Sequence, residues 1–377
     1  MTRCCPTASS AYRIRNGGRW DDKLFLSELL SSETQSVIRK PYLLFLGDAQ
    51  DQLAAKTAAG VAQWRPQWCV GQFRLPGCRA DLGLDDITLD RGRQLGAATL
   101  VIGVANRGGI VPAHWIDEIL QALDYGYDVA NGLHQRLSDI PEIAHAANSK
   151  GRLLFDVRHP SCTFQVGTGK KRSGRRVLTV GTDCSVGKMY TALALEKEMH
   201  RRGIKADFCA TGQTGILIAG SGISIDAVVA DFVSGAVEHL SPANEDDHWD
   251  IIEGQGSLFH ASYAGVSLAL LHGAQPDALV LCHEPTRRHM RGLPHFPLPD
   301  LAGCLEANLA AARLTNPAVR CVGVSFNTSG LEAGAATRLL DETTRQMGVP
   351  TTDPLREGVS VIVDQLCDLF GNAVDNS

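Results

Sequence analysis

A strand-like run, a glycine-bounded loop and an amphipathic helix follow one another in the second half of the chain, and this segment most constrains the fold. Val177 to Val180 is apolar, Gly181 and Gly187 bound the loop, and Lys188 begins the helix. In such a segment the loop amides and the helix N-terminus face an anion, the glycines let the backbone approach it, and the lysine adds a positive charge. The order of these parts predicts a phosphate-binding P-loop.

The loop departs from the usual motif, which has four residues between the glycines and a Ser or Thr hydroxyl that holds Mg²⁺ after the lysine. Here five residues separate the glycines, and Met189 follows Lys188. Thr191 cannot substitute, because two positions correspond to about 200° of rotation around a helix. Phosphoryl transfer needs that metal, so we expect no metal and a loop that binds phosphates without cleaving them. The predicted phosphate-binding residues are Gly181, Thr182, Asp183, Cys184, Ser185, Val186, Gly187, Lys188, Met189 and Tyr190.

Coenzyme A suits a loop of this kind, because its pyrophosphate and its further phosphate stay intact during acyl transfer. The sequence therefore makes an acyl carrier a serious candidate for the ligand.

The 377 residues are enough for two domains. Strand-like runs such as Tyr42 to Leu46 alternate with helical runs through both halves of the chain. This alternation predicts an α/β protein with two doubly wound parallel-sheet (Rossmann-like) domains, the second of the P-loop NTPase type. Ala227 to Val229 reads as one further strand of the second sheet. We expect an N-terminal extension over residues 1–39, a Rossmann-like domain over 40–160, a linker over 161–174 and the P-loop domain over 175–377.

Charge and hydropathy exclude several classes of partner. The net charge of −5 gives no basic face for nucleic acid. The longest apolar runs, such as Val266 to Leu271, are far shorter than the roughly 18 residues that span a bilayer. The eleven cysteines include no CxxC pair and follow no signal peptide, which indicates reduced thiols and a cytoplasmic location.

Polar residues that follow predicted strands are the candidates for chemistry, because ligands of parallel sheets bind beyond the carboxyl ends of the strands. Glu253 follows Asp250 to Ile252 and can act as a metal ligand, a general base or a cap for the next helix. Arg287 follows another strand and can clamp a carboxylate or belong to a solvated loop. Gln213 and Thr214 similarly suit a ligand contact or a plain polar turn.

The first domain offers two candidate anion contacts. Arg107 follows the strand-like run Thr99 to Val104, and Arg158 ends another, although arginine is also common at element ends for structural reasons. His134 and His260 are isolated in sequence, so zinc is not supported.

Four segments carry a resemblance to a known family: GTDCSVGKM, EGQGSLFH, CHEPTR and PYLLFLGDAQDQLAAKTAAGVAQWRP. Together they resemble two-domain P-loop proteins long of unknown function, a family that includes a D-glutamate N-acetyltransferase using acetyl-CoA. The resemblance implies CoA phosphates on the loop, the substrate amine beside the thioester, and a homodimer. The loop and EGQG are also similar to dethiobiotin synthetase, whose loop ends in Thr and whose reaction consumes ATP, and Met189 departs from that pattern.

The resulting hypothesis is N-acetylation of D-glutamate, or a close acidic amino acid, by direct attack of its amine on acetyl-CoA. The amine needs a base, for which Asp183 and Glu253 are the candidates. Backbone amides near Gly187 or Gly254 are expected to stabilise the oxyanion. The predicted substrate contacts are Arg107, Arg158, Gln255 and Arg287.

Three alternatives remain open. Cys184 can carry an acetyl group, but no histidine is adjacent in sequence to activate it. An ATP-dependent ligase or kinase requires a metal on Asp183 or Glu253. A non-enzymatic nucleotide-binding sensor requires ligand binding without turnover.

Overall fold

The first half of the chain forms a five-stranded parallel sheet in the order β2-β1-β3-β4-β5. The computed structural model describes residues 37–106, 108–160 and 162–371; residues 1–36 of the predicted extension, and Arg107, lie outside this range. The strands are β1 (Tyr42–Gly47), β2 (Cys69–Arg74), β3 (Thr99–Ile102), β4 (Asp128–Asn131) and β5 (Leu154–Asp156). The helices of this half are α1 (Lys56–Trp64), α2 (Leu89–Gln94), α3 (Ala113–Asp124) and α4 (Pro141–Lys150).

The second half forms a six-stranded parallel sheet in the order β13-β12-β9-β6-β8-β7. Its strands are β6 (Arg175–Gly181), β7 (Ala206–Cys209), β8 (Trp249–Ile252), β9 (Ala278–His283), β12 (Arg320–Phe326) and β13 (Thr351–Thr352), and an antiparallel hairpin pairs β10 (His289–Met290) with β11 (Leu293–Pro297). The helices are α5 (Lys188–Arg201), α6 (Gln213–Ala219), α7 (Val233–Leu240), α8 (Ala264–Ala274), α9 (Leu301–Arg313), α10 (Ala333–Met347) and α11 (Ser360–Phe370). The predicted α/β class with two parallel sheets is confirmed.

The strands read as apolar runs because helices cover the sheets. All six residues of β1 are buried, as expected for a parallel strand covered on both faces. Strand β4 was not predicted, because its polar residues Asp128 and Asn131 hide the apolar pattern. Asp128 accepts a hydrogen bond from the Leu153 amide at 2.9 Å, and Asn131 donates one to the Gln135 carbonyl at 2.8 Å. These hydrogen bonds let the two polar side chains stay buried.

One strand prediction is wrong. Ala227 to Val229 is apolar enough to read as a strand, but Ile225–Ala227 forms a short 3₁₀ turn instead. A run of three apolar residues does not distinguish a strand from a turn, and here Ala227 and Val229 are exposed.

Helix α1 of the first domain packs on helices of the second. The Thr57 hydroxyl lies 3.5 Å from that of Thr214 in α6. Further along α1, the Trp64 ring meets Tyr190 of α5 edge-on, with centroids 5.6 Å apart. These contacts bring the C-terminal end of α1 beside the phosphate loop.

No helix in residues 37–106, 108–160 or 162–371 is long and apolar enough to cross a membrane.

Candidate functional site

The predicted phosphate loop has the expected geometry. Strand β6 ends at Gly181, and α5 begins at Lys188 directly after Gly187, which has a φ of 104° that favours glycine. The Lys188 ammonium is buried and donates to the carbonyl oxygens of Asp183 at 2.7 Å and Gly256 at 2.8 Å. Burial lowers the pKa of this lysine. An ammonium has three donors, so one remains for a phosphate oxygen.

The position that normally supplies the metal hydroxyl carries none. Met189 packs against the apolar core. The Thr191 hydroxyl donates to the Gly187 carbonyl at 3.0 Å and lies 2.8 Å from the Ser325 hydroxyl. Thr191 therefore turns back into its own helix and the sheet, as the helical rotation predicts.

Asp183 is fully buried and its carboxylate ties the loop to the β10–β11 hairpin. One oxygen accepts from the Cys184 amide at 2.7 Å. The other accepts from the Arg287 guanidinium and the Arg291 amide, both at 2.7 Å. The two oxygens of Asp183 thus accept three hydrogen bonds, from the loop itself and from the segment that leads into the hairpin. This arrangement favours a positioning role over the predicted role as base.

Arg287 is used by the loop rather than left open to a ligand. Its guanidinium also donates to the carbonyls of Cys184 at 2.7 Å and Ser185 at 3.2 Å, and to the Glu284 carboxylate at 3.1 Å. These bonds, with the one to Asp183, engage four of five N–H donors, whereas a bidentate clamp on a substrate carboxylate needs two. The contacts argue against the predicted substrate role.

The structure places His260 beside Cys184, which sequence spacing did not reveal. One ligand atom from each of Asp183, Cys184 and His260 lies within 4.8 Å of the others. The His260 Nδ1 accepts from the Ser262 amide at 3.2 Å, so Nε2 carries the proton and donates to the Arg291 carbonyl at 3.0 Å. Both ring nitrogens are thus engaged, which suits neither a metal nor a base for the thiol.

Cys184 itself is held as a thiol. Burial raises its pKa, although the charge of Lys188 acts in the opposite direction. A neutral thiol is a weak nucleophile, so the structure does not favour an acetyl-cysteine intermediate.

Glu253 follows β8, and its buried side chain lies against the turn that precedes α6. One of its oxygens accepts from the amides of Thr211 at 2.9 Å and Gly212 at 3.1 Å. It therefore binds the start of α6 and not the helix that follows it in sequence. Burial raises the pKa of Glu253 to about 7, although both amides and Lys188 favour its ionised form. A carboxylate with this pKa can exchange a proton at neutral pH.

The raised pKa predicts that Glu253→Gln stabilises the fold at high pH. The unfolded chain releases the proton near pH 4.5, whereas the folded protein keeps it until about pH 7. The free energy of unfolding of the wild type therefore decreases as the pH rises from about 4.5 to about 7. The glutamine variant lacks this decrease. We expect the difference in free energy of unfolding to widen in favour of the variant, by up to about 3 kcal/mol, between pH 5 and pH 8. Urea titrations at both pH values test this, and a constant difference would contradict it.

Gly254 allows β6 and the loop after β8 to approach closely. Its amide donates to the Thr179 hydroxyl at 3.0 Å in a buried position. The Gly254 amide itself is therefore already used, and stabilisation of an oxyanion by other backbone amides near Gly187 or Gly254 stays a prediction. The neighbouring Gln255 donates to the Thr211 hydroxyl at 3.1 Å, on the same side as Glu253.

Replacing Gly254 by alanine is expected to destabilise the protein by more than about 3 kcal/mol. A Cβ at this position would overlap the Thr179 carbonyl oxygen, which belongs to a rigid strand. Gly265→Ala is the matched control, since a Cβ there meets nothing within 4 Å on helix α8 and alanine favours helix. The melting temperature should fall for Gly254→Ala and rise slightly for Gly265→Ala. Equal melting temperatures would contradict the packing argument.

Arg158 lies where the first sheet meets the turn before α6, which Glu253 binds. Its side chain donates to the Gly132 carbonyl at 3.4 Å and pairs with Asp226 at 3.3 Å. A Cβ at Gly132 would lie 3.6 Å from the Gln213 side chain, which follows the Gly212 amide bound by Glu253. The fold thus brings the predicted anion contact Arg158 to the Glu253 side of the protein.

Two further features of the site were not predicted. The His283 Nδ1 lies 2.9 Å from the Thr182 hydroxyl, and burial lowers the pKa of His283 to about 4, so the ring is neutral. A cavity of about 270 Å³ also opens beside the loop. It is lined by Gln63, Gly187, Tyr190, Asn327, Asp353 and Leu355, among others.

Comparisons with known proteins agree on one family. A family model described as the P-loop domain of a domain of unknown function, DUF1611_C, matches residues 165–363, and its Rossmann-like partner DUF1611_N matches residues 74–160. A crystal structure of a DUF1611 family protein from Anabaena variabilis has a TM-score of 0.74 and 31% identity, and covers 88% of this chain and 100% of its own.

Curated relatives include the D-glutamate N-acetyltransferase of Tritonibacter scottomollicae, 56% identical over 330 residues. The D-glutamate N-acetyltransferase of a Pseudoalteromonas species is 51% identical over 330 residues. Each alignment covers 88% of this chain and 99% of the relative. The chain therefore belongs to the DUF1611 family of two-domain proteins, in which a Rossmann-like domain precedes a P-loop domain.

Proposed function

We propose that this protein transfers the acetyl group of acetyl-CoA to the amine of D-glutamate by direct attack. The proposal depends on two features that occur together. Glu253 is a buried carboxylate with a pKa of about 7, and the phosphate loop lacks a metal-binding hydroxyl. The two enzymes with 51–56% identity carry the corresponding name, which supports both the reaction class and the substrate.

The donor phosphates bind the loop amides and the free donor of Lys188. We assign the nucleoside end of CoA to the cavity beside the loop, where the Tyr190 ring and the Leu355 side chain offer apolar surface and Asn327 offers an amide. This cavity begins at Gly187 and so continues directly from the phosphate site. Binding energy there positions the thioester without entering the chemistry.

The acceptor amine must lose a proton before it attacks. The α-ammonium group of a free amino acid is mostly protonated at neutral pH, and Glu253, with a pKa of about 7, can accept its proton. The free amine then forms the C–N bond to the thioester carbonyl carbon. Collapse of the tetrahedral intermediate breaks the C–S bond, the CoA thiolate leaves, and the second amine proton balances its charge.

The substrate carboxylates need cationic partners. Among the residues that the structure describes, Arg158 is the candidate. Its side chain is half-buried near the turn that Glu253 binds, and its partner Asp226 is half-exposed. Exchange of Asp226 for a substrate carboxylate would keep the guanidinium paired. Arg107 and Gln255 remain predicted substrate contacts, and the homodimer remains a prediction.

Calorimetric titration with acetyl-CoA, and separately with Mg·ATP, followed by a thiol-release assay with D- and L-glutamate, tests the proposal. We expect micromolar binding of acetyl-CoA and thiol release that depends on D-glutamate. Binding of Mg·ATP alone, with ATP turnover, would replace it with the ligase hypothesis. Binding without turnover across acyl donors and amines would indicate a sensor.

A further inference from the structure

A second cleft, of about 520 Å³, lies in the first domain at the carboxyl ends of β1 and β3. From β1 the chain passes to β2 on one side, and β3 then pairs with the other side of β1. The cleft therefore occupies the topological switch point, where open α/β sheets bind their ligands. Its volume is in the range of about 300–1,000 Å³ that is typical of small-molecule sites.

The polar groups around this cleft are arranged for a ligand that carries both a positive and a negative charge. The Asp48 carboxylate accepts from the Trp115 indole at 2.9 Å and lies 3.3 Å from His114. Burial alone would raise the pKa of Asp48, but the hydrogen bonds from Trp115, the backbone and His114 together lower it, so the group is ionised at neutral pH. Asp51 adds a second, exposed carboxylate.

Two further groups complete the set. The Asn106 side-chain oxygen is buried and accepts no hydrogen bond from any residue that the structure describes, while its amide nitrogen donates to the Ile110 carbonyl at 2.8 Å. A buried acceptor without a donor loses about 1–3 kcal/mol, which a ligand donor would restore. Lys56 is exposed at the cleft and forms no ion pair with any residue in the described ranges.

These charges exclude one ligand class and select another. Carboxylates at the end of β1 repel the phosphates that a dinucleotide would place there, and the loop after β1 lacks closely spaced glycines. An ammonium group, in contrast, matches Asp48, Asp51 and the Asn106 oxygen, and a carboxylate matches Lys56. We propose that this cleft is a second small-molecule site of the protein and that it binds a free amino acid.

The cleft is separate from the donor site. It shares no lining residue with the cavity beside the phosphate loop. Lys56, at the first residue of α1, lines the cleft, whereas Gln63 lines the loop cavity. Seven residues of helix correspond to about 10 Å, so a ligand in the cleft lies apart from the phosphates.

Ligand-observed NMR on the full chain tests the proposal, with D-glutamate and each proteinogenic amino acid as probes and acetyl-CoA absent. Asp48→Asn keeps an acceptor for Trp115 but removes the charge, and Lys56→Met removes the cation. Asp117→Asn, an exposed position on α3, is the matched control. We expect at least one amino acid to bind wild type and the control, to weaken at least tenfold in both cleft variants, and to lose binding when its amine is absent.

The rate of acetyl transfer distinguishes this site from the acceptor site. With saturating acetyl-CoA and D-glutamate, Asp48→Asn should keep the wild-type rate within about twofold. If no amino acid shows binding that depends on Asp48, the proposal is overturned. If Asp48→Asn instead removes D-glutamate binding and turnover together, the cleft is the acceptor site and no second site exists. Turnover in wild type is measured independently, so failure here leaves the proposed function standing.

Discussion

Lys188→Met should weaken acetyl-CoA binding by on the order of 100-fold, equivalent to about 3 kcal/mol. The Lys188 ammonium is buried at the start of α5 and keeps one donor for a phosphate oxygen after bonding the Asp183 and Gly256 carbonyls. Methionine preserves the length and apolar stem of the side chain but removes the charge. Calorimetric titration of the variant with acetyl-CoA measures the loss directly.

The same substitution frees two carbonyl acceptors, so the fold must be checked by circular dichroism and thermal unfolding. Lys197→Met is the matched control, because Lys197 is exposed on the same helix. We expect the control to bind acetyl-CoA as wild type does. A folded Lys188→Met variant with unchanged affinity would show that the loop does not bind the donor phosphates.

Glu253→Gln should lower kcat for acetyl transfer by roughly 10²- to 10⁴-fold, the usual contribution of a general base. Glutamine can still accept from the Thr211 and Gly212 amides, so the turn before α6 should keep its shape. Acetyl-CoA affinity should stay within about twofold, because the loss concerns proton transfer and not donor binding. Steady-state kinetics and calorimetry on the same preparation separate the two effects.

The pH profile gives a second readout for Glu253. Burial raises the pKa of this group to about 7, and a base must be unprotonated to act, so wild-type kcat should rise with pH through 7 and then level off. The glutamine variant should lack this limb. Glu332→Gln, at an exposed position before α10, is the control and should keep it. An unchanged limb in Glu253→Gln would assign the base to another residue.

The two effects predicted for Glu253→Gln have one physical origin. Burial makes the carboxylate costly to ionise in the folded protein, and the same burial places its pKa where it can accept the substrate proton. A variant that is slower but more stable at pH 8 is the expected signature of a functional group kept at the expense of stability.

The phosphate loop could be predicted from the sequence because its parts are contiguous. Strand β6, the glycines and the start of α5 follow one another within a few residues, so local backbone geometry and the helix N-terminus suffice to define an anion site. The missing metal hydroxyl at Met189 follows from helical rotation in the same way. The apolar strands likewise predicted the two parallel sheets, apart from the polar strands β4 and β13, which lack an apolar run.

The roles of the polar residues around the loop depended on contacts between distant segments. Asp183 and Arg287 were predicted as a base and a substrate clamp, yet they bond each other across 104 residues and hold the hairpin on the loop. His260 lies beside Cys184, which sequence spacing gave no sign of, and Gln63 reaches the loop cavity from the other domain.

The sequence by itself determined the position of the predicted anion site, because that site consists of backbone and one lysine in a single strand–loop–helix unit. Only the tertiary structure decided which side chains remain free for chemistry, because burial and hydrogen-bond occupancy are set by the packing of elements far apart in the chain. Glu253 is the clearest case: the sequence placed it at the end of a strand, and burial in the folded protein raised its pKa to about 7.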